Sequence, residues 1–121
     1  MATNKLYHYR AKLDRVVDGD TIDVVLDLGF DLHMTARIRF VGINAPESRT
    51  RDLVEKQKGL EAKRFVEDWI GNTDTLIVQT QLDKKGKFGR ILGSILNADG
   101  ACLNDEMVSL GHATPYDGGK R

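Results

Sequence analysis

The chain lacks the features of several protein classes. Its single cysteine, Cys102, cannot form an internal disulfide, so folding does not depend on an oxidising compartment, and we expect a small buried hydrophobe there. No apolar run approaches membrane-spanning length, and residues 1–12 hold no apolar segment of signal-peptide length. The 18 basic residues equal the 18 acidic ones in number, so no global positive field draws the chain onto nucleic acid. Any affinity for phosphate must therefore be local.

These absences predict a soluble protein without a membrane partner, cytoplasmic by default because no signal peptide is visible. A leader removed before the first residue would leave no trace, so secretion stays open. The length of 121 residues predicts one domain with a modest core, which we place at about residues 6–113. We expect residues 114–121 to form an irregular tail.

The three histidines, His8, His33 and His112, are scattered, with no spacing typical of a metal-ligand set or of a base beside a nucleophile. We expect structural or surface roles for all three. The chain also shows no Ser/His/Asp arrangement and no glycine loop of the kind that cradles phosphates. Neither a zinc site nor covalent catalysis is indicated.

What the chain does have is a regular alternation of apolar and polar residues, the pattern of half-buried strands. The predicted strands cover residues 7–14, 22–28, 34–41, 76–82 and 91–96. Apolar residues at three- and four-residue spacing predict a helix over 54–70, ended by Gly71 and Asn72, and a second helix over 103–110, closed by Gly111. This order is that of an OB-fold. The predicted fold class is therefore α+β, mainly β, with a five-stranded Greek-key barrel and two packed helices.

Two aspartates frame a turn before the second strand. Asp20 shares the strand parity of Ile22 and Val24, so its carboxylate points with the core side chains if the pairing reaches back that far. An unpaired carboxylate in that position is costly, and a bound cation is one remedy. The alternative is that Asp18 and Asp20 are turn residues that bond their own backbone.

Polar side chains near the end of the third strand suit the same chemistry. Arg39 lies on the face opposite Ile38 and Phe40, and its guanidinium fits a carboxylate or phosphate, with a cross-strand ion pair as the alternative. Asn44 and Glu47 flank a loop just past the strand, and hard oxygen donors of that kind suit Ca²⁺ or Mg²⁺ rather than Zn²⁺. Taken alone, Glu47 is also compatible with a solvated loop acid.

Five motifs follow one another in the order and approximate spacing of the staphylococcal nuclease, or thermonuclease, family. They are Asp-Gly-Asp-Thr at 18–21, Arg-x4-Asn-x-Pro-Glu at 39–47, Gly-Leu-Glu-Ala opening a helix at 59–62, Lys-Phe-Gly-Arg at 87–90, and residues 104–111. Each motif is weak by itself, but their combination is specific. Over about residues 6–116 the chain therefore resembles this family of SNase-like OB-fold domains.

The resemblance implies a metal-dependent endonuclease that hydrolyses phosphodiester bonds of DNA or RNA and leaves 3′-phosphate and 5′-hydroxyl ends. It implies a Ca²⁺ site with Asp20 as a ligand, joined by Asn44 and the main-chain carbonyl of Ala45. Asn44 stands where the family usually has an aspartate. Because the amide keeps an oxygen but removes a negative charge, we expect weaker Ca²⁺ binding, or a shift towards Mg²⁺ or Mn²⁺.

The resemblance also implies roles in catalysis and substrate binding. Glu47 would orient or deprotonate the attacking water, while Arg39 and Arg90 would clamp the phosphate and offset the charge that gathers in the transition state. For Arg90, at the start of the last strand, a surface charge is the alternative. Phe88 stands where the family has a tyrosine, so one hydroxyl contact to a terminal phosphate is lost, and Lys87 remains to bind substrate.

The end of the chain departs from the family. The sequence stops shortly after Tyr116, where the family continues into a third helix, so we expect that helix to be absent and Tyr116 to supply a base-stacking ring. We expect a monomer, with the face that a third helix would cover as the place for a partner. The glycine-rich basic tail resembles phage-encoded or mobile-element relatives.

Two functions from different classes stay open at this point. The first is an endonuclease, and the second is a catalytically silent OB-fold module that binds single-stranded nucleic acid or a protein. Few aromatic residues and a neutral net charge disfavour a strong non-specific binder. Retention of Asp20, Arg39, Glu47 and Arg90 together favours the enzyme, since a binding module needs no such set.

Overall fold

The computed structural model describes residues 7–48, 50–73, 75–82 and 91–116. In these ranges the strands are β1 (His8–Asp18), β2 (Thr21–Gly29), β3 (Leu32–Phe40), β4 (Ile43–Asn44), β5 (Leu76–Leu82), β6 (Ile91–Leu96) and β7 (Thr114–Pro115), and the helices are α1 (Leu53–Gly71) and α2 (Leu103–Ser109). The predicted strands and helices are confirmed, with small shifts at their ends. The largest shift is in β1, which continues to Asp18.

Five of the strands form a closed barrel in the order β1-β2-β3-β6-β5, and antiparallel pairing of β1 with β5 completes the ring. All neighbours are antiparallel except β3 and β6, which run parallel. The predicted fold class, an OB-fold barrel with two packed helices, is confirmed for the described residues. Alternation explains it, because Ile22, Val24 and Leu26 turn into the barrel and are at most 1% exposed.

Helix α1 packs against the barrel with one narrow face. Its buried residues, Gly59, Ala62, Val66 and Ile70, recur at three- and four-residue spacing. The helix begins where the Asp52 carboxylate accepts hydrogen bonds from two backbone N–H groups of the first turn. Two of the four buried residues are the smallest available, so α1 can approach the barrel end closely.

Two side-chain contacts join α1 to α2 and to the segment that follows it. The Trp69 indole donates to a Glu106 carboxylate oxygen at 2.9 Å, and His112 stacks on Phe65 with ring centroids 4.8 Å apart. The second contact gives His112 a structural role, as expected.

No helix among the described residues is long and apolar enough to span a bilayer.

Cys102 departs from its predicted environment. It occupies the N-cap position of α2 and is partly rather than fully buried, so the expectation of a small buried hydrophobe is met only in part. Burial nevertheless raises the pKa of its thiol. The thiol therefore stays protonated near neutral pH.

The prediction of an irregular tail is wrong at its start. Thr114–Pro115 forms β7, which pairs with β4, and the Tyr116 N–H donates to the Gly42 carbonyl at 2.8 Å. A two-residue strand has no detectable period, so alternation could not reveal it. Residues 117–121 lie outside the described ranges. The pairing of β4 with β7 fixes the position of β4, which immediately precedes the loop that carries Ala45 and Glu47.

A buried amide joins α2 to the barrel. Asn104 is 3% exposed, and its Oδ1 accepts from the Ile95 N–H while its Nδ2 donates to the Val41 and Gly93 carbonyls. Loss of these partners would leave buried polar groups unpaired. The amide thereby fixes the end of β3, where Arg39 lies.

The β2–β3 hairpin turn carries a conformational cost. Its two loop residues, Phe30 and Asp31, have φ values of 56° and 63°, and Phe30 is 99% exposed. Such a left-handed conformation costs an ordinary residue about 1–2 kcal/mol. No burial of the Phe30 side chain offsets that cost.

Replacing Phe30 by Asn and Asp31 by Gly should therefore raise the free energy of unfolding by about 1 kcal/mol, because that pair suits two successive positive φ values. Denaturant titration measures the change. The control is Phe30→Ala, which removes the exposed ring but keeps the backbone cost. An equal gain from Phe30→Ala, or no gain from the double variant, would contradict the interpretation.

Candidate functional site

Three chain segments meet at one end of the barrel: the turn between β1 and β2, the end of β3, and the loop after β4. They enclose a cleft of about 190 Å³ lined by Asp18, Asp20, Thr21, Arg39, Ala45, Pro46 and Glu47. Four residues singled out from the sequence are thus brought together. Asp20, Arg39, Ala45 and Glu47 share this one cleft, although they come from different segments.

Strand pairing extends back to Asp20, because the Phe40 N–H donates to its carbonyl at 2.8 Å. The Asp20 side chain is 14% exposed. Its Oδ1 accepts from the Thr21 hydroxyl at 3.0 Å, and its Oδ2 accepts from the Ala45 N–H at 2.9 Å. The carboxylate therefore does more than complete its own turn, since it ties the start of β2 to the loop after β4.

The Arg39 guanidinium is held at the wall of this cleft. Its Nη1 donates to the Phe40 carbonyl at 2.9 Å and lies 3.6 Å from Asp20 Oδ2, and its Nη2 donates to Asn44 Oδ1. The side chain is 13% exposed. The ion pair that the sequence left as an alternative is present, in the same place where a phosphate clamp was expected.

Asn44 lies in β4 rather than in a free loop, because β4 pairs with β7. Its amide oxygen accepts from Arg39, and the residue lines a neighbouring groove of about 630 Å³ instead of the cleft itself. In this structure the contact of Asn44 is with the arginine, so it helps to orient the guanidinium. Its role as a metal ligand stays a prediction.

Glu47 lines the cleft, and the residue that follows it, Ser48, has the opposite environment. Glu47 is exposed, whereas Ser48 is 5% exposed and donates its hydroxyl to Asp18 Oδ1 at 2.6 Å. This hydrogen bond joins the loop after β4 to the end of β1. The sequence did not single out Ser48, and no local pattern marks a serine whose partner lies 30 residues away.

Two glycines allow α1 to touch both loops of the cleft. A Cβ at Gly59 would overlap the carbonyl group of Glu47 and lie 2.6 Å from Ser48 N, and a Cβ at Gly19 would lie 2.7 Å from Ala62 Cβ. Both distances are below any normal contact, so neither position accepts a side chain without displacement. The motif at 59–62 was expected to open the helix, but α1 begins at Leu53, and Gly59 lies in its second turn. The absence of a side chain at Gly59 lets α1 pack closely against the backbone of Glu47 and Ser48.

The charge and the donor atoms of the cleft suit a hard cation. Asp18, Asp20 and Glu47 contribute carboxylates and Arg39 one guanidinium, so the lining is net negative and its donors are oxygens. Across the described ranges, no group of three His, Cys, Asp or Glu side chains forms a metal cage. The oxygen donors that line the cleft fit a hard divalent cation such as Ca²⁺ or Mg²⁺.

The remaining predicted site residues are Lys87, Phe88, Arg90 and Tyr116. Lys87, Phe88 and Arg90 lie outside the described residues. Tyr116 follows β7, is half-buried, and is absent from the residues that line the cleft. Their assigned roles stay predictions.

Comparison with known protein families identifies the family to which this chain belongs. The profile of the family described as staphylococcal nuclease homologue matches residues 37–120, more than half of the chain. The chain belongs to this family. The match contains Arg39, Asn44 and Glu47, whereas Asp18 and Asp20 precede it.

Individual relatives match this staphylococcal nuclease homologue over a larger part of its length than the family profile does. The chain is 34% identical to Endonuclease YhcR of Bacillus subtilis over 89% of its own length and 9% of the relative's. It is 32% identical to an uncharacterized endonuclease of Escherichia coli over 85% of its length and 58% of the relative's, and 30% identical to Protein ParB of Escherichia coli over 88% and 57%. The chain therefore spans less than two thirds of these relatives.

Gly59→Ala should lower the free energy of unfolding by about 1–3 kcal/mol, because the added methyl group forces α1 away from Glu47 and Ser48. Denaturant titration measures it. The matched control is Gly71→Ala in the same helix, where nothing lies within 4 Å of the added methyl group. That change should be neutral or stabilising by up to about 1 kcal/mol. Equal effects at both positions would contradict the close-approach argument.

Proposed function

We propose that this protein is a metal-dependent endonuclease that hydrolyses phosphodiester bonds in DNA or RNA and leaves 3′-phosphate and 5′-hydroxyl ends. One observation carries the proposal: carboxylates and an arginine converge in a single cleft of a staphylococcal nuclease homologue. Relatives named as endonucleases cover most of this chain and support it. The silent binding module has no observation of its own in its favour.

The cation would be held by Asp20 and the main-chain carbonyl of Ala45, with Asn44 as the further ligand implied by the resemblance. Ca²⁺ is our first candidate, and Mg²⁺ or Mn²⁺ are the alternatives. When bound, the cation would polarise a phosphoryl oxygen and help to generate the nucleophile. Asp18 adds a second carboxylate to the same lining and increases the attraction for a positive ion.

Glu47 is assigned to the attacking water. Its carboxylate is exposed at the cleft mouth, where solvent water can reach it, and the backbone of its loop is seated against α1. In the reaction, the water oxygen would form a bond to phosphorus and pass a proton towards Glu47. The bond between phosphorus and the 5′ oxygen would break, and that oxygen would take a proton from solvent.

Arg39 is assigned to the phosphate. Its guanidinium is held in place by the Phe40 carbonyl and Asn44, so little reorganisation is needed when negative charge gathers on the phosphoryl oxygens. The substrate phosphate would compete with Asp20 for the Arg39 guanidinium. A metal ion bound to Asp20 would favour the phosphate in that competition. Arg90 would act as the second clamp, and Lys87 with Phe88 would bind the adjoining nucleotide.

Purified protein should cleave plasmid and denatured DNA with Ca²⁺, Mg²⁺ or Mn²⁺ but not with EDTA. Glu47→Gln should lower kcat by about 10²–10⁴-fold, because the positioned base is lost while the side chain keeps its size. The matched control is Glu61→Gln, an exposed acid on α1 outside the cleft, which should retain full activity. Cleavage without metal, or equal rates for Glu47→Gln and the wild type, would overturn the proposal.

Asn44→Asp tests the composition of the metal shell. A carboxylate at this position should tighten Ca²⁺ binding if residue 44 is a ligand, because it restores one negative charge. Isothermal titration calorimetry with Ca²⁺ alone measures the affinity of both proteins. Unchanged affinity would remove Asn44 from the shell and leave it the Arg39 contact that is present here.

A further inference from the structure

We propose that the outer face of β1, β2 and β3 is a track for the sugar–phosphate backbone of the substrate strand, leading away from the cleft. The inference rests on the proposed function, because it takes the substrate to be a nucleic acid. It names a surface beyond the cleft and predicts that binding depends on strand length.

The strand registers place five basic side chains on this face, and we call them the basic track: Arg10, Lys12, Arg15, Arg37 and Arg39. Their strand neighbours on the opposite face, such as Ala11 and Ile38, belong to the core or pack on it. Arg39 also lines the cleft. The track therefore starts at the candidate site and continues along the barrel.

The track is a local concentration of positive charge on a chain with zero formal net charge. Its acidic neighbours are the exposed Asp14 on β1 and Asp23 and Asp27 on β2, so five basic residues stand against three acidic ones. By contrast, neither β5 nor β6 contains a charged residue. A face that served only solubility would not need its basic residues on one side of the barrel, so this asymmetry favours a polyanionic partner.

Asp23 organises the middle of the track rather than cancelling it. Its carboxylate accepts from Arg37 Nε at 2.8 Å and from Arg15 Nε at 3.1 Å, and both arginine side chains stay about half exposed or more, at 47% and 64%. The hydrogen bond from Arg37 lowers the pKa of Asp23, opposed by desolvation and helped by Arg15, so the carboxylate stays charged at neutral pH. One acid thus holds two guanidinium groups whose side chains remain partly exposed to solvent.

The far end of the track is a groove of about 500 Å³ whose lining includes Arg10, Lys12 and His33. From Arg39 to His33 is six residues along β3, roughly 20 Å at strand spacing. That distance spans several phosphates of one strand. Arg10 and Lys12 are exposed and form no ion pair within the described part of the chain. Asp27 also lines this groove opposite Arg10, which leaves two basic residues against one acid at the position that a strand leaving Arg39 would reach.

A nucleic acid fits this face better than an acidic protein does. The basic track shares Arg39 with the cleft that is assigned to a phosphodiester, so one strand would contact both sites at once. Ion pairing of this kind carries no sequence preference and depends on salt. We therefore expect the track to supply affinity for long substrates rather than base selection.

The test is the dependence of KM on substrate length, measured on oligonucleotides of two to twelve nucleotides. For the wild type, KM should fall as the strand lengthens. In the double variant Arg10→Ala/Lys12→Ala that gain should shrink by about 20-fold at 0.1 M salt, since each lost phosphate contact is worth about 5-fold there. The control is Lys56→Ala/Arg64→Ala, which removes the same charge from the exposed side of α1 and should keep the wild-type length dependence.

A second measurement separates this inference from the proposed function. Binding of a twelve-nucleotide strand in EDTA, followed by fluorescence anisotropy, needs no catalysis, and its log-log slope against salt should fall by about 1.4 in the Arg10→Ala/Lys12→Ala protein. Cleavage by the wild type with an unaltered slope and length dependence in that variant would overturn the track and leave the nuclease standing. Polyglutamate binding as tight as the oligonucleotide would also overturn it, in favour of an acidic protein. A reduced slope without any cleavage would support the track and refute the nuclease.

Discussion

The close approach of α1 to the barrel end is the constraint on which the rest of the site depends. Gly59 lets the helix touch the backbone of Glu47 and Ser48, and Gly19 meets Ala62 one turn further along. Because the two contacts come from one rigid helix, the loops that carry Asp20 and Glu47 cannot move independently. The hydrogen bond from Ser48 to Asp18 and the one from Ala45 to Asp20 then join these loops to each other.

Electrostatics at the cleft follow from that packing. The Arg39 guanidinium donates hydrogen bonds to the Phe40 carbonyl and to Asn44, and its Nη1 lies 3.6 Å from Asp20 Oδ2. Both side chains are largely buried, so solvent screens their interaction only in part. A site of this kind is organised in advance, and a cation or a phosphate would exchange for contacts that already exist. The basic track is also organised in advance, because Asp23 accepts hydrogen bonds from both Arg15 and Arg37.

The barrel could be predicted because its strands are long enough to show a period. Ile22, Val24 and Leu26 alternate with polar residues, and α1 shows its buried face at helical spacing. The pairing of β4 with β7 could not be predicted, since two residues show no period, and neither could the contact of Gly59 with the backbone of Glu47. Glycine at a helix position reads locally as a weak helix former, and only the neighbouring backbone of Glu47 reveals why it is there.

The sequence by itself determined the barrel, the two helices, the family motifs and the chemical types of Asp20, Arg39 and Glu47, because periodicity and residue type are local properties. Only the tertiary structure decided which groups touch. In the folded chain the Asn44 amide contacts Arg39, Ser48 bonds to Asp18, and Gly59 packs against the backbone of Glu47. Basic residues that are distant in sequence lie on one face of three strands. Such contacts join positions far apart in the chain, and their distances exist only after the barrel has closed.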